Sequence, residues 1–239
     1  MTDVPDPDRP VELRELVTAD ELAVLPHFER HVWGGTAEAV SVNMLVATLA
    51  EGGMAIGAFD ADRIVGAVYG FPTREPHVLH SHYMAVDPEY RRRGLAVTLK
   101  QAQREWCLAR DITVMRWTYD PLQVANAHLN LHVLGAIGVH YHANHYGALG
   151  GINGSLPSDR ITVRWDLDVD HADRADRLAG EVRSVAVAPL APDAIPTSSP
   201  EAMSARHALR AELQPLMDAV WRLVDVDRAA RAYTVAPPV

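Results

Sequence analysis

Apolar and polar positions alternate regularly over roughly the first 168 residues, and the spacing predicts the secondary structure. Short runs rich in β-branched and aromatic residues predict strands, whereas apolar residues repeated every three or four positions predict helices. The predicted strands are 11–17, 54–59, 64–71, 78–86, 112–118, 139–145 and 161–167, and the predicted helices are 18–33, 36–50, 92–109 and 122–134. This order predicts one mixed α/β (α+β) domain over residues 11–168.

Several of these boundaries carry specific local signals. Thr18 and Glu21 have the spacing of a capping box, which predicts the start of the first helix. Glycine pairs at 34–35 and 52–53 end the first two helices. The turn at 60–63 joins the second and third strands into a hairpin.

The pattern changes at both ends of the chain. The composition of residues 1–10 predicts a disordered lead-in, and that of residues 169–199 predicts a proline-rich linker. Ser199 and Pro200 open a helix, which Pro215 should kink or end, and strands at 220–226 and 232–235 follow. Residues 200–239 thus form a C-terminal helix and strand extension, which could cover an acceptor site, mediate dimerisation or extend the sheet.

Composition restricts the class of protein. Apolar residues make up 48% of the 239 residues and charged residues 22%, as in ordinary globular proteins. The net charge of −9 argues against a general nucleic-acid binder. No apolar run is long enough to span a membrane, and residues 1–10 lack the apolar core of a signal peptide, so we expect a cytoplasmic protein with no membrane partner. The single cysteine, Cys107, is expected to be buried and excludes an intrachain disulfide.

Residues 80–96 are the most informative stretch, because a strand there leads through a short turn into a helix. Gly94 has no side chain, so a ligand could approach the backbone closely. The first turn of a helix presents free N–H groups and a positive dipole end, which bind phosphate. Arg91, Arg92 and Arg93 add positive charge at the same place. The stretch predicts a phosphate-binding turn; the alternative is an ordinary turn with a solvated basic patch.

This stretch resembles the cofactor loop of the GNAT superfamily of acyl-CoA-dependent N-acyltransferases, in which a strand ending in valine precedes Arg/Gln-x-x-Gly-x-Gly/Ala. Here the strand ends at Val86 and the loop runs from Arg91 to Ala96. The resemblance implies a GNAT fold with a mixed central sheet, in which the strands at 78–86 and 112–118 are parallel and splay apart around the cofactor. It implies acetyl-CoA as co-substrate, with succinyl-CoA as the alternative donor. The implied cofactor-binding residues are Met84, Ala85, Val86, Arg91, Arg92, Arg93, Gly94, Leu95 and Ala96.

His80 and His82 are the strongest candidates for a catalytic base. Two residues apart in a strand, they should point to one face, which Met84 and Val86 should continue. An imidazole titrates near neutral pH, which suits removal of a proton from an ammonium group. The pair is similar to the His-x-His relay of arylalkylamine N-acetyltransferases. Alternatively, the two histidines are packed sheet residues, or they bind zinc with His140 or His142.

The general acid is the least certain part of the expected site. Many GNAT enzymes place a tyrosine four residues before the glycine that ends the next helix, but here Leu131 precedes Gly135. Tyr141, Tyr146 or Tyr119 could protonate the departing thiolate, or the thiolate could leave unaided. We take Tyr141 as the candidate acid.

Two further features bear on ligands. Asn126 and Asn130 are four apart and should share a helix face, and the resemblance implies that Asn126 contacts the pantetheine amides. The segment from Thr118 to Arg160 resembles a little-characterised bacterial branch of predicted acetyltransferases, some linked to N-acylation of amino acids. Arg160 or Arg164 could clamp an acceptor carboxylate, or Arg160 could pin the loop before its strand.

The predicted function is therefore transfer of an acetyl group from acetyl-CoA directly to a primary amine of a small molecule, such as an amino acid. One alternative is succinyl-CoA-dependent N-succinylation of an amino acid. A second is a non-catalytic acyl-CoA-binding sensor or interaction module. No resident metal and no nucleic acid are expected, and exchange of the final strand would be a route to a homodimer.

Overall fold

The computed structural model describes residues 11–34, 39–147, 157–169, 181–190 and 199–237. The chain divides into two compact units, one ending at Thr113 and the other beginning at Val114. The predicted lead-in, residues 1–10, lies outside the described residues.

The first unit contains four strands and the helices that cover them. Its elements are β1 (Glu12–Glu15), α1 (Ala19–Leu22), α2 (Val24–Trp33), α3 (Val42–Ala50), β2 (Met54–Asp60), β3 (Arg63–Pro72), β4 (Val78–Val86), a 3-10 turn (Pro88–Tyr90) and α4 (Leu95–Leu108). The strands are antiparallel in the order β1-β2-β3-β4. The predicted hairpin of β2 and β3 and the bounds of β4 are confirmed.

Helices cover both faces of this sheet, which explains why the sequence of β2 is apolar at nearly every position and does not alternate. Residues of α1 to α3 pack with Ala67, Tyr69 and Tyr83 in one buried cluster. On the opposite face, a side-chain atom at Gly66 would lie 3.0 Å from Leu99 of α4. Cys107 of α4 is buried, as expected.

The helix starts of this unit follow the local signals. The capping box is confirmed, because the Thr18 hydroxyl accepts from the Glu21 N–H and the Glu21 carboxylate accepts from the Thr18 N–H. The predicted helix 18–33 is divided at Ala23 into α1 and α2. The second predicted helix begins at Val42, capped by Ser41, and not at residue 36.

In its described residues, the second unit is a six-stranded antiparallel sheet with its own helices. Its elements are β5 (Val114–Tyr119), α5 (Val124–Ala127), a π-helix (His128–Val133), β6 (Ile137–His142), β7 (Arg160–Asp166), β8 (Arg183–Ala186), α6 (Pro200–Asp218), β9 (Arg222–Asp227) and β10 (Ala232–Ala236). Its strand order is β5-β7-β6-β9-β10-β8. The predicted splay of the strands at 78–86 and 112–118 concerns strands of different units and stays a prediction.

The C-terminal extension continues the sheet of the second unit. Strand β9 pairs with β6 at Gly138, where an added Cβ would lie 2.7 Å from the Cβ of Leu223. Helix α6 begins at the predicted Ser199 cap and continues past Pro215, so of the two predicted effects of Pro215, a kink or an end, the end is wrong. Residues 183–186 of the predicted linker form β8, because β10 offers them a pairing edge.

Among the described residues, no helix combines the length and apolar character needed to cross a membrane.

Candidate active site

Strand β4 contains a β-bulge at His82. Across β3, Tyr69 pairs with Tyr83 and Gly70 pairs with Ser81, so His82 is one extra residue on β4. An extra residue removes one pairing position and shifts the alternation of faces beyond it.

The bulge corrects the predicted arrangement of the face. Residues directly opposite each other in antiparallel strands share a face. Val86 pairs with Gly66, which lies against α4, and Met84 pairs with Val68 on that same side. His80, by contrast, pairs with Phe71, which packs against the cluster of α1 to α3. Met84 and Val86 therefore do not continue the face of His80, as a regular strand would require.

The two histidines themselves do lie together. Their ring centroids are 6.0 Å apart, and the ring of Phe71 lies 4.9 Å from His80 and 5.6 Å from His82. His82 also meets Tyr69 edge-on at 5.7 Å. Although the His82 side chain has access to solvent, the surrounding protein desolvates its charged form and lowers its pKa from the usual 6.5. Neutral imidazole, the form that accepts a proton, is thereby favoured at neutral pH.

The turn after β4 is fixed by the buried carboxylate of Asp87. Asp87 accepts a hydrogen bond from the Glu89 N–H and pairs with Arg63 at 2.8 Å and His31 at 3.1 Å. Arg63 also binds Glu89, which neutralises the nearest exposed acid. The start of the loop is therefore rigid, and its local negative charge is compensated.

The loop from Arg91 to Ala96 presents an anion-binding surface. The helix begins at Leu95 and not at Arg92, because Gly94 has φ +83°, in the left-handed region. Within the described residues, the backbone N–H groups from Arg92 to Ala96 make no hydrogen bond. An added side chain at Gly94 would meet nothing within 4 Å, so the backbone there is open to a ligand.

The three loop arginines remain available for an anion. Arg91 donates to the carbonyl of Val86 through Nε, and Arg93 lies over the ring of Tyr90. None of the three arginines pairs with a carboxylate of the described residues, and all are exposed. Free N–H groups and guanidinium groups at a helix start fit the phosphates of a nucleotide cofactor.

In the second unit, Tyr141 is held in a buried network. Its hydroxyl donates to Asp159 Oδ2 at 2.6 Å, and Arg210 of α6 binds both oxygens of Asp159. Burial and the neighbouring carboxylate raise the pKa of Tyr141. Tyr119 is buried too, and its hydroxyl donates to Tyr233. Tyr146, with 47% of its surface exposed, is the accessible member of the three candidate acids.

The two asparagines do not share a face. Asn126 is exposed and makes no hydrogen bond with the described residues, whereas Asn130 is buried and accepts from the Trp117 indole at 3.3 Å. The π-helix that begins at His128 widens the turn between them and breaks the expected spacing of four. Leu131 is buried in this π-helix.

The candidate carboxylate clamps already have partners. Arg160 lies 3.5 Å from Asp120 and donates to the carbonyl of Asp159, so it holds the start of β7. Arg164 pairs with Asp166 at 2.8 Å. The zinc alternative gains no support, since the described part of the chain holds no group of three or more side chains placed to bind a metal.

The comparisons with known proteins identify the family. The model of the acetyltransferase (GNAT) family matches residues 17–136, half of the chain. The chain belongs to the GNAT acetyltransferase family. A search of curated protein sequences finds no match.

Solved GNAT structures share the fold. The ribosomal-protein-S18-alanine N-acetyltransferase of Escherichia coli superposes with a TM-score of 0.55 at 17% identity, over 67% of this chain and 96% of its own. YncA of Salmonella typhimurium, solved with its cofactor acetyl-CoA, gives 0.55 at 15% identity, over 67% and 96%. A GNAT acetyltransferase of Streptococcus pneumoniae gives 0.54 at 17%, over 65% and 98%. At these identities the likeness establishes the mixed α/β GNAT fold.

Acetyl-CoA is the co-substrate typical of this GNAT family, and the loop of this chain fits it. The unpaired N–H groups from Arg92 to Ala96, the open backbone at Gly94 and the unpaired arginines together offer the donors that a pyrophosphate needs.

Sequence reasoning missed two buried ionisable residues of the first unit. Glu29 of α2 is buried within the cluster on the histidine side of the sheet. Lys100 of α4 is buried on the other side and donates to Ser81 Oγ at 2.7 Å and Gln103 Oε1 at 3.2 Å. Glu29 occupies a position on the buried face of an amphipathic helix, where the helical pattern predicts an apolar residue. This break in the pattern is the signal from which its burial could have been predicted.

Proposed function

We propose that this GNAT protein transfers an acetyl group from acetyl-CoA to a primary amine of a small molecule, with His82 as the base. The observation that carries the proposal is the His80–His82 pair, held at the bulge of the strand that leads into the cofactor loop. The coarser activity, acetyl-CoA-dependent acetyl transfer, follows from the family.

His82 has the properties that a base for an ammonium group requires. Its pKa is lowered by desolvation, so its neutral form predominates at pH 7. Its side chain reaches solvent, to which the proton can pass, and His80 lies 6.0 Å away as a second carrier. Packing against Phe71 and Tyr69 fixes the orientation of the His82 ring.

Acetyl-CoA, when bound, supplies the activated acetyl thioester. Arg91 to Ala96 would hold its pyrophosphate, and the backbone of Met84 to Val86 would pair with its pantetheine amides. The amine nitrogen forms its bond to the acetyl carbonyl carbon as the carbon–sulfur bond breaks, and the amine proton passes to His82.

The transfer is direct in this proposal. Cys107 is buried, and burial raises its pKa to about 12, so it is a poor nucleophile for an acyl-enzyme. The Tyr141 hydroxyl already donates a hydrogen bond to Asp159, which favours a structural role for Tyr141. We therefore assign protonation of the thiolate to solvent.

The first test is thiol release from acetyl-CoA, with succinyl-CoA in parallel, against a panel of amines and amino acids. With an active pair, His82→Ala should lower kcat by about 100-fold or more, as expected for a lost general base, while CoA affinity measured by calorimetry is kept. The wild-type rate should rise with pH through an apparent pKa below 6.5. His207→Ala, which removes an exposed histidine of α6, is the control.

Two results would overturn the proposal. Equal kcat values for His82→Ala and the wild type would exclude His82 as the base. Binding of CoA without turnover of any pair would favour the acyl-CoA sensor.

A further inference from the structure

Glu29 is a buried carboxylate without a positive partner. Its side chain points from α2 into the apolar cluster on the histidine side of the sheet, and the residue is 2% exposed. Oε2 accepts one long bond of 3.4 Å from the N–H of Val40. Oε1 is buried with no hydrogen-bond partner among the described residues, and no lysine, arginine or histidine of that part of the chain forms an ion pair with it.

The hydroxyl of Tyr83 lies close enough to Glu29 for a hydrogen bond between them to affect the pKa of both groups. Tyr83 Oη is buried, and no hydrogen bond of good geometry satisfies it within the described structure. The charge of Glu29 adds to desolvation in raising the pKa of Tyr83, and it also raises that of Tyr69, so the carboxylate lies near both rings. The Tyr69 hydroxyl, in contrast, is satisfied by Thr48 at 2.6 Å.

Aromatic rings connect this pair of atoms with the catalytic histidines. The ring of Tyr83 contacts His82 at a centroid distance of 6.2 Å and Trp33 at 5.5 Å, edge to face. Tyr69 contacts both Tyr83 and His82 at 5.7 Å. Tyr83 therefore lies next to both Glu29 and the proposed base.

The chemistry of this cluster suits an ammonium group. A buried carboxylate is costly unless it is paired and hydrogen-bonded. Burial raises the pKa of Glu29 to about 7, although the Val40 N–H and the Tyr83 hydroxyl act in the opposite direction. An ammonium group could donate to Glu29 Oε1 and to Tyr83 Oη at once, while the faces of Trp33, Tyr83 and Tyr69 attract a cation. A carboxylate or neutral alkyl group would leave Glu29 unpaired.

We propose that Glu29 and the Tyr83 hydroxyl bind a second, protonated amine of the acceptor, so that the preferred acceptors are amines with two cationic centres. This inference rests on the proposed function, since the other amine would be the one that loses its proton to His82.

The test compares acceptors of equal length that differ only in the distal group. The probes are 1,5-diaminopentane, pentylamine and 5-aminopentanoate, with shorter diamines to find the best length, and the readout is thiol release from acetyl-CoA. The diamine should have the highest kcat/KM, at least about ten-fold above pentylamine, as expected for one buried charged hydrogen bond.

Variants then assign this preference to the two residues. Glu29→Gln keeps the shape but removes the charge, and should raise KM for the diamine by about ten-fold or more, so that the preference for the diamine over pentylamine is lost. Tyr83→Phe removes the hydroxyl alone and should cause a smaller loss of the same kind. Glu51→Gln, which neutralises an exposed carboxylate of the same unit, should change neither.

A binding measurement without acetyl-CoA makes the test independent of turnover. In wild type, 1,5-diaminopentane should raise Tm and pentylamine should not, and Glu29→Gln should abolish the shift. The melting temperature of free Glu29→Gln should be equal to or above that of the wild type, because a buried unpaired carboxylate is removed, so a lost shift cannot be ascribed to unfolding.

The outcomes distinguish the two proposals. Acetylation of amines with no preference for the diamine, or with a preference that Glu29→Gln retains, overturns the assignment of Glu29 and leaves the amine acetyltransferase standing. Failure of every amine as acceptor overturns the proposed function. A diamine-induced shift that Glu29→Gln retains places the cation elsewhere and also overturns the assignment.

Discussion

At the residue scale, Lys100 shows how burial changes the chemistry of a side chain. It is 2% exposed and donates to Ser81 and Gln103, neither of which carries a charge. Desolvation lowers its pKa from 10.5 to about 7, so the amine is largely neutral above neutral pH. The folded state therefore gives up a proton that the unfolded chain keeps.

This difference predicts a pH-dependent stability. Between pH 7 and 9 the unfolded state binds more protons than the folded state, so the free energy of unfolding should rise with pH by up to about 1.4 kcal/mol per unit. Lys100→Met should remove that rise, as measured by urea unfolding at several pH values. Above pH 9 Cys107 acts in the opposite direction, because its buried thiol has a pKa raised to about 12 from 9.0. Parallel curves for Lys100→Met and the wild type would contradict the prediction.

Gly94 is the second residue whose local state has a functional consequence. Its φ of +83° directs the N–H groups at the start of α4, and an added methyl group would meet nothing within 4 Å. Gly94→Ala should lower the free energy of unfolding by about 1 kcal/mol through backbone strain and raise KM for acetyl-CoA several-fold. Calorimetry with CoA gives the affinity, and Gly52→Ala, also at a positive φ with open space, is the matched control. An unchanged CoA affinity would show that this turn does not bind the cofactor.

At the element scale, the contact between β6 and β9 depends on one glycine. Gly138 pairs with Leu223, and a Cβ at residue 138 would lie 2.7 Å from the Cβ of Leu223 and 3.1 Å from Ile161. Both neighbours are buried, so neither can move without disturbing the core. Strand β9 can approach β6 only because residue 138 has no side chain.

Gly138→Ala should therefore destabilise the second unit. We expect a loss of about 2 to 3 kcal/mol in the free energy of unfolding from overpacking. Gly147→Ala is the control, because that glycine also lies in the second unit but has open space around it, and its positive φ accounts for about 1 kcal/mol of strain alone. Equal losses for the two variants would show that the Leu223 contact is not limiting.

At the scale of the whole molecule, the C-terminal extension supplies partners to buried charges of the preceding region. Asp159 is fully buried and is bound by Arg210, and Asp120 is bound by the buried Arg206. Tyr233 accepts from Tyr119 and donates to the carbonyl of Pro121. Removing α6 and β10 would take Arg210 from Asp159 and Arg206 from Asp120, and the loss of one partner of a buried ion pair costs about 3 to 5 kcal/mol.

A chain that ends at residue 168 should therefore lose cooperative unfolding and aggregate. Calorimetry and size-exclusion chromatography against the full chain are the measurements. Coexpression of residues 181–239 as a separate chain should restore a soluble complex, because it returns Arg206, Arg210 and β9. A truncated chain that unfolds cooperatively at the Tm of the full chain would show that the extension is not part of the fold.

The sequence by itself determined the features that depend on neighbours in the chain. The bounds of β4, the capping box at Thr18, the Ser199 start of α6 and the loop around Gly94 all follow from residue types at short spacing, because local sterics and hydrogen bonds set them. The same local order, with the loop motif, was sufficient to predict the GNAT family.

The tertiary structure alone decided features that join distant parts of the chain. The bulge at His82 depends on the register with β3, and it moved Met84 and Val86 away from the face of His80. The placement of Glu29 beside Tyr83 depends on how α2 packs over β4. The extension joined the sheet because Gly138 admits Leu223. Register and packing arise from contacts between residues far apart in sequence. The local spacing of residue types carries no information about those contacts.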